Sequence, residues 1–171
     1  MLSIKEMPSD ARVWVYQSNK ALSDTEVAGV AKAGNTFIAD WAAHGASLKA
    51  SFDILHNRFI VLAVDEKQAT ASGCSIDKSV HFIKELEKQF NLNLFDRMQV
   101  AFRKENQIIT CHFNDLLKEL TSQISSDLDV LGNVTVFNNM VASKAEFDTN
   151  WECKLKNSWQ GRVLPVKQNS I

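Results

Sequence analysis

Phe59-Ile60-Val61-Leu62-Ala63-Val64 decides the fold. It is the longest strictly apolar run in the chain and offers no polar position to solvent. A strand without a polar face is covered on both sides. The run is also far short of the roughly 20 apolar residues that span a bilayer. Working outward, Leu48 to Leu55 and Arg58 to Val64 read as two strands joined at His56-Asn57, a short hairpin connection. Val13-Trp14-Val15-Tyr16, rich in β-branched and aromatic residues, reads as a first strand. Between them Ser23-Asp24-Thr25-Glu26 fits a capping box, and Val27, Val30, Phe37, Ile38 and Trp41 follow at helical spacing, with Gly45 as the stop. Ile76, Val80, Ile83, Leu86 and Phe90 mark a second helix, and Met98, Val100 and Phe102 alternate with polar or small residues in a fourth strand.

That order is β-α-β-β-α-β. It predicts an α+β protein with a ferredoxin-like core, an antiparallel sheet carrying both helices on one face. The remainder is a C-terminal α/β addition: a strand at Gln107 to His112, a helix from about Asn114 to Ile124, a strand at Val134 to Phe137, and a short helix opened by Ser143-Lys144-Ala145-Glu146. With both helices on one face, the greasy strand needs a cover on the other. The C-terminal addition supplies it, or a second subunit does, as a homodimer. The first ten residues and the tail after Trp159 read as loose ends.

The 171 residues are 45% hydrophobic and 23% charged, which fits a single globular domain with its core at about residues 11–160. Nineteen basic against twenty acidic side chains argue against a general nucleic-acid or anionic-membrane binder. Cys74, Cys111 and Cys153 are odd in number and widely spaced, so they frame no disulfide scaffold. With no signal-peptide pattern at the N-terminus, the expected compartment is cytoplasmic.

Chemistry concentrates at Ala71-Ser72-Gly73-Cys74-Ser75-Ile76-Asp77-Lys78-Ser79, where a loop enters the second helix. Unpaired amides and the helix dipole there favour an anion, and a cysteine so placed can become a reactive thiolate. The plainer account makes Ser72 or Ser75 an N-cap, Gly73 a turn residue and Cys74 a small hydrophobe at the helix–sheet junction. Asp77 works against a thiolate, and His81 lies about 10 Å further along the helix axis. Ser75 to Lys78 also matches S-x-x-K, without its companion elements. Asp65-Glu66 ends the buried strand and offers carboxylates. The four histidines form no metal-binding spacing, and neither glycine-rich nucleotide loop occurs. Trp14 and Tyr16 share a strand face that could stack bases, but the RNA-binding signature is missing.

Taken as a set, Trp14-Val15-Tyr16-Gln17-Ser18, Ala43-His44-Gly45, Asn57-Arg58-Phe59, Gly73 to Ser79, Leu94-Phe95-Asp96-Arg97 and Phe137-Asn138-Asn139 resemble a family of small Bacteroidetes proteins often labelled "ABC transporter ATPase". The similarity runs from about Val13 to Trp159. The label implies ATP hydrolysis, yet the Walker A loop and LSGGQ-like element which that chemistry needs do not occur in the sequence. The resemblance assigns no catalytic residue.

The expected function is therefore binding of a small ligand or protein partner, without demonstrable catalysis. The alternative is a thiol-dependent enzyme with Cys74 as nucleophile, Lys78 or His44 lowering its pKa, and the Ser75 and Ile76 amides as anion hole. Gln17, Ser18, Arg58, Asp65, Asn138 and Asn139 are the polar residues that could join such a pocket. No cofactor, metal, nucleic acid or membrane span is expected.

Overall fold

The hairpin forms where the sequence places it. In the computed structural model, which describes residues 2–43, 46–67 and 71–164, β4 (Lys49–Leu55) and β5 (Phe59–Asp65) pair antiparallel from Leu55↔Phe59 to Lys49↔Asp65. His56 and Asn57 both adopt left-handed backbone, φ 53° and 50°. With Arg58 N donating to Leu55 O at 3.0 Å they make a tight turn, and the connection is three residues, one longer than the sequence reading gave. On its other edge β5 pairs with β1 (Arg12–Gln17), giving the order β1-β5-β4. As the central strand, β5 has each of Phe59 to Val64 at 0% exposure.

The chain is α+β with antiparallel sheets and forms two compact units, Met1–Phe95 with Asn139–Asp148, and Asp96–Asn138 with Thr149–Ile171. In the first unit two helices cover one face of the three-stranded sheet. The Ser23 capping box opens α1 (Asp24–Asp40): Ser23 Oγ accepts from the Glu26 amide, and the Glu26 carboxylate accepts from the Ser23 amide at 2.8 Å. Hydrogen bonding to Lys20 first, then to Ser23, pulls the Glu26 carboxyl down to about 2. Ser72 caps α2 (Gly73–Phe90), which ends on a left-handed Asn91. Val30, Ile38, Ile83 and Leu86 from these helices pack on Phe52, Ile60, Leu62 and Val64 of the sheet. At Gly34 the approach is so close that an added Cβ would lie 2.1 Å from the Phe52 ring. The first helix stops at Asp40, where Trp41 turns extended; the expected stop at Gly45 lies outside the described residues. Two short strands, β2 (Ala42–Ala43) and β3 (Ala46–Ser47), follow.

Two features of this unit depart from the sequence reading. The N-terminal arm, expected to be loose, is fastened: a 3-10 turn over Ile4–Glu6 has its own capping box, and the Ile4 amide donates to Asp53 Oδ2 at 2.7 Å. Ile4 and Met7 are buried, because Asp53 points away from the helix-covered side and draws the arm onto the opposite face of the sheet. The second departure is at the edge of β1. A ferredoxin-like sheet would set a fourth strand there. Instead the segment around Ser143 bridges Arg12, with Val13 N donating to Ala142 O and Lys144 N to Ala11 O.

The expected fourth strand, β6 (Gln99–Lys104), lies in the second unit. It forms a hairpin with β7 (Gln107–His112) across a turn with Glu105 at φ 53°. Its other edge pairs Phe102 with Val136, so β6 has no edge left for β1. After β7 come α3 (Leu116–Gln123), α4 (Leu128–Gly132) and β8 (Thr135–Phe137). The chain then passes through α5 (Lys144–Asn150), whose start belongs to the first unit, and returns as β9 (Glu152–Lys154) and α6 (Trp159–Val163). The sheet order is β7-β6-β8-β9, over a core of Phe102, Leu116, Leu120, Leu131, Val136 and Leu155. No helix among the described residues is long and apolar enough to cross a membrane.

Candidate functional site

The two helices of the first unit run antiparallel, and three contacts fix which residues are level. Trp41, just past α1, donates its indole N–H to Ser75 O at the start of α2. Phe37 stacks on Phe82 in mid-helix, with ring centroids 4.3 Å apart and planes 1° from parallel. Near the far end, Gly29 lets the Phe90 ring approach to 2.8 Å of where a Cβ would stand. Above these contacts a groove of about 1020 Å³ runs along the pair. Its floor is Ala33, Phe37, Trp41, Phe82 and Leu86, and its walls carry Lys32, Asp40, Asp77, Lys78, His81 and Glu85. The groove exists because both apolar stripes are wider than the sheet needs. Ile38 and Ile83 face the sheet, whereas Phe37 and Phe82, one residue earlier on each helix, are only half-buried.

Cys74 and Lys78 both line the Trp41 end of this groove, one helical turn apart and exposed. The anion hole expected beside them is already filled by the cap. The Ser75 amide donates to Ser72 Oγ and the Ile76 amide to Ser72 O at 2.9 Å. The Ser75 side chain is buried and donates to Ser72 O. His81, two turns from Cys74, pairs with Glu85 at 3.2 Å. His44 lies outside the described residues.

The other expected pocket residues lie elsewhere. Asp65 sits at the last position of β5, accepting from the Lys67 amide and pairing with Lys49 at 3.3 Å. Those bonds, the Lys67 amide foremost, hold its carboxyl below the usual range. Gln17, Ser18 and Arg58 gather at the opposite end of the same strands, about 20 Å away by strand rise. There Ser18 N donates to Arg58 O, and Asn139 Nδ2 donates to Gln17 Oε1 at 2.8 Å. Burial pushes the Arg58 guanidinium down, and Gln17 Nε2 is buried with no hydrogen-bond partner among the described residues. Asn138 belongs to the second unit, where its amide donates to Trp151 O. So the sequence-derived set scatters: Cys74, Ser75, Ile76 and Lys78 at the helix start, Gln17, Ser18, Arg58 and Asn139 at one strand end, Asp65 at the other, and Asn138 in the second unit.

Sequence reasoning missed the groove floor. The signal was present: Phe82 is an additional apolar residue off the Ile76-Val80-Ile83-Leu86-Phe90 track. Cys111 and Cys153, half-buried in the second unit, are free thiols; burial raises both, Cys111 to about 11 with help from Glu119 and Asp115. Among the described residues no cluster of His, Cys, Asp and Glu could hold a metal ion. Comparison with protein-family models, curated proteins and solved structures gave no match.

Proposed function

We propose that this protein is a cytosolic binding domain without demonstrable catalysis, and that the groove between α1 and α2 is where its ligand or partner seats. The observation carrying this reading is the Phe37–Phe82 stack, left half-open between two charged walls. An aromatic floor with a few polar groups above it is the usual makeup of a binding cleft. The free cysteines support a reducing compartment. The order β1-β5-β4 beneath two helices supports reading the first unit as three strands of a ferredoxin-like sheet. The resemblance to the Bacteroidetes proteins assigns no catalytic residue, and the chain has no phosphate-cradling loop for the hydrolysis their label implies.

The test uses the fluorescent apolar anion 8-anilinonaphthalene-1-sulfonate on highly diluted protein. Wild type brightens the dye, and Ala33→Glu, which sets a carboxylate on the groove floor, removes most of that signal. Equal signals from both proteins overturn the reading. A thiol-dependent enzyme is the second reading, favoured by the exposure of Cys74 beside Lys78 at the groove mouth. An alkylation profile for Cys74 with its midpoint well below the ordinary thiol range supports it; an ordinary profile removes it.

A further inference from the structure

Resting on the groove as the binding site, we propose that its occupant is a second copy of this chain, docked through α1 and α2. Charge carries the argument. Because Phe37 is level with Phe82 and Gly29 with Phe90, Lys32 on α1 falls within a turn of the level of Glu85 on α2. By the same register Asp40 falls near Lys78. The α1 wall therefore carries opposite signs at its two ends, Lys32 and Asp40; on the α2 wall Glu85 stands at one end, and Lys78 at the other is offset by its neighbour Asp77. Asp77 shares the Lys78 end, and His81 is engaged by Glu85. The groove holds the walls apart: Lys32, Asp40 and Lys78 make no ion pair with any described residue.

Rotating a copy by 180° about an axis along the groove brings its α2 over the first copy's α1 at the same level. Lys32 then meets the partner copy's Glu85, a pair that occurs twice by symmetry, while Asp40 faces the copy's Lys78 and Asp77 together. The two grooves then face one another, and their Phe37–Phe82 floors close a shared apolar interior between four helices. The apolar floor supplies affinity, and the wall charges select a copy of the same chain in this orientation.

Sedimentation velocity on the full chain, from low to high protein concentration, reads the assembly. Wild type passes reversibly from one-chain to two-chain mass. Lys32→Glu and Glu85→Lys, both surface changes checked for folding by far-ultraviolet circular dichroism, each weaken the dimer at least about tenfold through two repulsive contacts. Mixed in equal amounts they recover a one-to-one heterodimer, because each reversed charge then faces its opposite. A wild type that stays monomeric throughout overturns the proposal, and so does a dimer indifferent to both reversals. In either case the dye signal and its loss in Ala33→Glu still decide whether the groove binds anything at all.

Discussion

Gly34 is the residue on which the packing of the first unit depends most. Alanine is the better helix former by about 1 kcal/mol, so propensity alone would have Gly34→Ala stabilise α1. The Phe52 ring, 2.1 Å from the position of the new methyl, reverses the sign. Overpacking of that kind costs roughly 1–3 kcal/mol, and urea denaturation should show a net loss for Gly34→Ala. Asp53 gives a second residue-scale expectation. Burial, the largest influence on it, raises its carboxyl above the ordinary aspartate value, against the bond donated by the Ile4 amide. A folded-state pKa above the unfolded one means the native state holds the proton longer, so this group's contribution to stability falls as pH rises through that interval. Asp53→Asn keeps an acceptor for Ile4 and removes the ionisation. It should be at least as stable as wild type at neutral pH and lack that decline, as thermal melts across pH would register. The three thiols should also separate: Cys74 is exposed and alkylates first, while Cys111, pushed up to about 11, is slow at pH 8 and accelerates as pH rises further. Peptide mass spectrometry of timed samples reads the order.

At the scale of elements, what the sequence made legible was local. The Ser23 capping box and the His56-Asn57 hairpin each close within a few residues and formed where expected. The strand read from Met98, Val100 and Phe102 formed over Gln99–Lys104, but Val100, Ala101 and Phe102 are all buried and the expected alternation is absent. The hairpin has room for improvement. Asn57→Gly relieves the left-handed backbone, and after the greater entropy of the unfolded glycine chain about 0.5 kcal/mol of stabilisation should remain, visible as a higher melting temperature. What stayed hidden depends on distant partners. Nothing in Ser3 to Glu6 announces that Asp53 will accept the Ile4 amide, nor does Ser143 announce Arg12. The site behaved likewise. The helix start at Cys74 and a serine cap were readable, but the sequence could not say which of Ser72 and Ser75 caps; Ser72 does, and takes the Ser75 and Ile76 amides. Nor could it say that Phe37 and Phe82 would meet, because that depends on the antiparallel register of two helices separated by a hairpin.

For the whole molecule, the first unit is discontinuous in sequence. Its β1 edge is closed by residues that come after most of the second unit has been made: Ala142 O receives the Val13 amide, Ala11 O the Lys144 amide, and Ser9 O the Ala145 amide. A fragment ending at Phe95 keeps both helices and all three strands but leaves that edge bare. Bare edges recruit other strands. Such a fragment should aggregate, or show a molten near-ultraviolet spectrum, under conditions where the full chain stays clear.

The bridge between Arg12 and Ser143 also sets a schedule for biosynthesis. At ~5–20 residues per second, the ribosome needs roughly 3–10 s to travel from Phe95 to Asp148. Throughout that interval the nascent first unit waits with an unmated strand, a longer exposure than a contiguous domain of the same size would face. Its yield in the cell is thus tied to translation speed and to whatever chaperone shields that strand in the meantime.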